Sequence, residues 1–218
     1  PVCQLVLRDM EKDLFNLYQD RINKVETHKL FRAGRGLCNA HAWQMSQAKG
    51  SAISVAVMYE STIYELLKDS DTISFGGAAG LGRLFGGARS GNDAAEKLGP
   101  SGPCLMCESM NVVEASYIDI IAENLGTGEI RSVLAQSSGG LCLPHTRLCL
   151  TQARNSADAK WLLETQQAKW RELQAQLEQF IQNNKNNIPH WQMGVEGDSW
   201  QRAVRYLSGD PQVFGYRR

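Results

Sequence analysis

Apolar residues recur at helical spacing through most of the chain. Between about Leu5 and Val25 they stand at Leu7, Met10, Leu14, Leu17, Tyr18 and Ile22, the period of one helix face. A second helix is expected from about His41 to Ala48. Ser51 to Leu67 carries Ile53, Val57, Ile63 and Leu67 behind Ser51, a good N-cap residue, although its β-branched content leaves a strand open. In the second half one helix is expected from near Cys107, holding Val112, Val113, Ile118, Ile121 and Leu125. Another starts near Cys142, and a long one runs from about Ala157 to Gln182. The long one sets Leu163, Trp170 and Leu177 at sevens, with Leu173 and Phe180 between them, a coiled-coil-like seam. Its simplest use is packing on the matching helix of the first half. A small last helix is expected after Asp198 or Ser199 as cap, with Trp200, Ala203, Val204 and Leu207 as its stripe and Gly209 and Pro211 as its stop.

The pattern repeats. Cys3 is followed 35 positions later by Cys38, and Cys107 is followed 35 positions later by Cys142. Gly-Leu precedes the later cysteine in both cases, and a histidine follows three residues on, His41 and His145. A constant offset of 104 maps one set onto the other, and also pairs Leu14 with Ile118, Leu17 with Ile121, Leu30 with Leu134 and Glu60 with Glu164. So many matches in one register indicate a duplicated unit of about a hundred residues. The same offset aligns Cys104 with the position before Pro1, where a cysteine is expected.

The fold class expected is therefore all-α: two duplicated helical modules, each pinned by its own Cys3His site. The first module covers 1–70 and the second 104–185. A glycine-rich linker, 71–103, joins them, and a tail with a short helix occupies 186–218. The linker holds Gly76-Gly77 through Gly86-Gly87. It lacks the G-x-x-x-x-G-K-[ST] order of a phosphate loop, and no clear strand precedes it, so its composition reads as a spacer.

C-x-x-C supplies two thiolates from one turn, and C-x-x-H a thiolate and an imidazole from another. Four such donors converging at about 2.0–2.3 Å make a tetrahedral metal site. Side chains three apart share a helix face, and a helix N-terminus favours thiolate over thiol. The expected ligands are Cys3, Cys38 and His41, completed by the cysteine before Pro1, and Cys104, Cys107, Cys142 and His145. Each metal would pin the first helix of a module to the later helix of the same module. Buried free cysteines are common core residues, but donors repeated in one register favour a metal. Cys149 aligns with Met45, an apolar position, and is expected to fill core; His28 and His190 have no place in the pattern.

Composition narrows the function. Lys and Arg total 23, as do Asp and Glu, so no basic field exists for nucleic acid beyond short patches such as Arg217-Arg218. No run of 18 apolar residues and no signal-peptide pattern occurs, so no membrane span is expected and the reading is cytoplasmic.

At the repeated motifs the chain resembles an uncharacterised bacterial family, a domain of unknown function with duplicated C-P-x-C…G-x-C-x-x-H units. Trp43, soon after the first histidine, is similar, as is the tail Gly194-Val195-Glu196-Gly197-Asp198-Ser199-Trp200 followed by Arg202-Ala203. The resemblance implies the architecture and no activity.

Two structural zinc ions in a scaffold or interaction subunit, within a larger complex or with another protein, form the first functional reading. Closed Cys3His sites leave no open position for catalysis, and no G-x-S-x-G, H-E-x-x-H or carboxylate pair near a histidine is present. Enzymatic activity is therefore not expected. An iron–sulfur protein carrying electrons or sensing redox state is the alternative. A thiol oxidoreductase is disfavoured by the helical pattern and the repeated histidine.

Overall fold

The computed structural model describes residues 1–48, 50–73 and 89–213, and among them every regular element is helical. Helix α1 (Val2–Asn16) runs on into a π-helical turn, Leu17–Arg21. It is followed by α2 (Val25–Ala33), α3 (Asn39–Gln47), α4 (Ala52–Asp71), α5 (Arg89–Leu98) and α6 (Leu105–Asn124). Then come α7 (Gly128–Gln136), α8 (Leu143–Gln152), α9 (Ser156–Lys185), a 3₁₀ turn at His190–Gln192 and α10 (Ser199–Ser208). Helices α1 to α4 begin at Val2, Val25, Asn39 and Ala52, and α6 to α9 begin 103 or 104 positions later in every case. No described helix is long and apolar enough to cross a membrane. Residues 76–87 of the expected linker, and Arg217-Arg218, lie outside the described residues.

The strand alternative over 51–67 gives way to α4. Helix α5 stands inside the stretch read as linker. It packs on α4, and its end is tied down: Arg35 donates to Asp69 at 2.6 Å and to the Lys97 carbonyl at 2.7 Å. Helices α2 and α7 were not expected. Each has nine residues and buries only one or two of them, too few to show a period.

The chain forms two compact units, Met10–Ser109 and Pro1–Asp9 with Met110–Arg218. In the first, α4 packs against α2, α3 and α5. Its core is rich in methionine: Met10, Met45, Met58 and Met106 are buried, as are Leu14, Leu17 and Phe31. Methionine fills irregular space where short helices meet at varied angles. Phe31 meets Tyr59 edge-to-face at 5.1 Å. In the second unit, α8, α9 and α10 pack on one another over Leu141, Cys149, Leu162 and Leu173.

The long helix corrects the expected seam. Its buried positions are Asp158, Leu162, Gln166 and Leu173, and Leu163 is exposed. The neighbours of α9 in its unit are α8 and α10. Two of the buried positions are polar, which a search for apolar residues passes over. Asp158 is held by Arg131 at 2.8 Å and Asn155 at 2.7 Å, so its burial is compensated.

The two expected caps also differ. Ser51 and Asp198 do hold the N-cap positions, but neither makes a capping bond. The Ser51 hydroxyl donates to the Met45 and Ala48 carbonyls, and Asp198 accepts from Arg202. In α10 the stripe Trp200, Val204 and Leu207 faces outward. Ser199 and Tyr206 are buried instead, with the Tyr206 hydroxyl donating to the Ser138 carbonyl at 2.7 Å.

Candidate metal centres

Both C-x-x-H pairs are built alike. Cys38 and Cys142 are N-cap residues in extended conformation, at φ −61°, ψ 162° and φ −67°, ψ 161°. His41 and His145 are the third residues of α3 and α8. N-cap and N3 side chains meet across the first turn, the register in which a capping box closes. Sγ and Nδ1 accordingly stand 3.3 Å apart in the first pair and 3.1 Å in the second. Pro144 suits the first turn of α8, where its missing N–H has no partner to lose.

Each pair is held from behind by a long helix. Gln166 of α9, buried, accepts the Leu141 N–H at 3.0 Å and donates to the Leu141 carbonyl at 2.8 Å. In the first half Tyr59 of α4 stands against the corresponding turn, its ring 3.0 Å from where a Cβ on Gly36 would sit. Gly140 and Gly36 take φ of 59° and 96° to bring these turns in. A Cβ on Gly140 would sit 2.1 Å from Gln166 Oε1, so the turn needs glycine for conformation and for space. Replacing Gln166 with Ala strands a buried N–H and carbonyl beside Cys142. It should cost about 2–4 kcal/mol in denaturant unfolding, and a loss under about 1 kcal/mol would show that the clamp does not hold the turn.

All seven expected donors fall into two clusters, but the pairing differs from the expected one. Cys38, His41, Cys104 and Cys107 form the first centre, and Cys3, Cys142 and His145 the second; within each, the donor atoms all lie within 4.8 Å of one another. In the first centre His41 Nδ1 is 3.4 Å from Cys107 Sγ and 3.7 Å from Cys104 Sγ, and Cys38 Sγ is 3.6 Å from Cys107 Sγ. In the second, Cys3 Sγ is 3.6 Å from Cys142 Sγ and 3.4 Å from His145 Nδ1. The C-x-x-H of Cys38 and His41 thus meets Cys104 and Cys107, and that of Cys142 and His145 meets Cys3. The expectation joined Cys3 to Cys38 and His41, and Cys104 and Cys107 to Cys142 and His145. Spacing could not decide, because one offset relates both sets and either exchange preserves it. The units decide it: Cys3 lies in the segment 1–9 that belongs with 110–218, and Cys104 and Cys107 belong with 10–109.

The electrostatics suit cation ligation. In the second centre the hydrogen bond from Cys142 lowers the Cys3 thiol to about 4 against the opposing effect of burial, with help from His145 and the Asp210 amide. Its neighbour Cys142 is raised, first by that shared hydrogen bond and then by burial. Burial would lower His145, but Cys3 and Glu114 outweigh it and the ring is raised. In the first centre burial pushes Cys104 up, yet His41 and the amides of Cys38 and Cys107 outweigh it and the thiol is lowered. Cys107 is raised by burial and by the adjacent Cys104 and Cys38. Each centre therefore holds one favoured thiolate, Cys104 or Cys3, beside a thiol held protonated, Cys107 or Cys142, and a bound cation would take the place of that proton.

Cys149 is fully buried on α8, its thiol pushed up to about 12 by burial, and belongs to neither centre. His28 and His190 bond the carbonyls of Ile22 at 2.6 Å and Gly197 at 3.1 Å. Glu60 and Glu164 are exposed. One residue beside the donors was missed. Glu114 Oε1 lies 3.1 Å from His145 Nε2, and both residues are buried. The signal was available: Glu114 interrupts the apolar stripe Met110, Ile118, Ile121 of α6 at helical spacing.

No curated protein and no solved structure matches the chain. A family model does, over residues 1–213, described as a family of unknown function (DUF6062).

Proposed function

The chain belongs to this family of unknown function, and from its own donor atoms we propose a non-enzymatic helical protein, held by two structural zinc ions and serving as a scaffold or interaction subunit. The observation that carries the reading is the size of the donor sets. A tetrahedron with metal–sulfur of about 2.3 Å and metal–nitrogen of about 2.0–2.1 Å has edges of about 3.5–3.8 Å. Four of the six edges of the first centre are 3.3 to 3.7 Å, within a few tenths of that, and all six are within 4.8 Å. A cluster spreads its ligands over separate irons, which favours one ion per centre over the iron–sulfur alternative. The second centre supplies three donors, Cys3, Cys142 and His145, with edges of 3.1 to 3.6 Å.

The repeated helix starts and the matched N-cap geometry support a duplicated unit whose copies exchange their cysteine pairs. Each ion would then join segments far apart in sequence, the start of α6 to that of α3 and the start of α1 to that of α8. An interaction role is supported by apolar surface. On α4, Ile53, Val57, Tyr64 and Leu67 are exposed along one helical stripe, and Trp191 and Trp200 are exposed in the tail.

Metal analysis and visible spectroscopy of anaerobically purified protein test the reading. A colourless protein with two zinc ions per chain is expected. Brown protein with iron and acid-labile sulfide would replace zinc by clusters, and metal-free protein that takes up no zinc would end the metal reading.

A further inference from the structure

The two centres differ in what stands behind the histidine. His145 presents Nδ1 to Cys142 and Cys3 at 3.1 and 3.4 Å, and its other nitrogen meets Glu114 at 3.1 Å. His145 is 0% exposed and Glu114 5%, so no bulk water competes for this contact. A carboxylate only accepts, so Nε2 carries a proton and Nδ1 is the nitrogen left facing the sulfurs. At the first centre, the offset aligns Glu114 with Met10, which is buried and has no carboxylate.

We infer that Glu114 is a positioning residue for the second centre alone: it fixes the tautomer and plane of His145 so that Nδ1 binds the ion. The inference rests on the two-ion reading above. A hydrogen-bonded carboxylate raises the basicity of a ligating imidazole and removes its rotational freedom, and losing such a partner typically costs about 10–100-fold in metal affinity. Because Met10 already occupies the other position, the first centre serves as a control within the same molecule.

The test uses the full chain as wild type, Glu114→Leu and Glu114→Gln, titrated with zinc against a chromophoric chelator. Two ions should bind to the wild type. In Glu114→Leu one of the two should weaken by about 10–100-fold and the other should not. Glu114→Gln, whose amide oxygen can still accept from Nε2, should recover most of the loss. Two affinities unchanged from the wild type in Glu114→Leu, or a parallel fall in both, would overturn the inference. A wild type that binds no zinc would overturn the metal reading, and this inference with it.

Should Glu114→Leu not fold, long-range proton–nitrogen spectra of the zinc-loaded wild type and Glu114→Gln carry the test. The Nε2-bound proton of His145 should move upfield as a charge-assisted hydrogen bond becomes a neutral one, while that of His41 stays. An unmoved His145 resonance would show that Glu114 does not hold the ring.

Discussion

Stripping the metal should cost this protein its cooperative melting transition or lower it by tens of degrees. Structural zinc sites contribute on the order of 10 kcal/mol in small peptides, comparable with the whole stability of a domain of ordinary size. The second centre shows why the loss would be severe. Without an ion, the favoured Cys3 thiolate, the Cys142 thiol and the His145–Glu114 pair remain buried together, and their charges and protons must be reconciled inside an apolar core. The sign is fixed by the same groups: a divalent cation satisfies the donors in the folded chain and has no comparable site in the unfolded one, so it stabilises. Calorimetry before and after treatment with a strong chelator would measure this, and two equivalents of zinc should restore the original transition. An apo protein melting within about 2 °C of the loaded one would defeat the structural role.

What could be read from the sequence follows the physics of each feature. The long helices were legible because a dozen or more residues repeat a burial pattern several times. Helices α2 and α7 were not, since nine residues with Phe31 or Leu134 as the buried anchor define no period. The seam of α9 was misplaced by one residue at its start because Asp158 and Gln166 occupy core positions that hydrogen bonds, not hydrophobicity, make tolerable. The stripe of α10 was legible as a helix, but its orientation was not. Tyr206 goes inward because its hydroxyl finds the Ser138 carbonyl, which no local pattern announces.

The donors were a sharper case. All seven stood out by residue type and spacing, and all seven lie in the two clusters. Glu114 escaped because it is one glutamate in a long helix, meaningful only once His145 is beside it. The partnership of the donors escaped for a reason of symmetry. When one offset relates two donor sets, sequence shows which residues correspond, and only the fold shows which ones meet.

That ambiguity gives the pairing a decisive test in metal stoichiometry. Replacing Cys38 and Cys107 together with serine removes two donors from one centre and none from the other, so one of two ions should remain. Replacing Cys107 and Cys142 together removes one donor from each, and neither ion should be held at its original affinity. If each half instead built its own site, the results would be reversed: Cys107 with Cys142 would spare one ion, and Cys38 with Cys107 would damage both. Stability should follow the same logic. Residues of one centre act on a shared ion, so the second substitution in Cys38→Ser/Cys107→Ser should add little once the first has released it. The costs of Cys107→Ser and Cys142→Ser should come much closer to adding, since they draw on different ions. The difference should reach several kcal/mol, because most of a site's contribution is lost with its first ligand. Equal coupling in both double variants would mean that the donors act independently of any shared ion, and the interlocked centres would have to be abandoned.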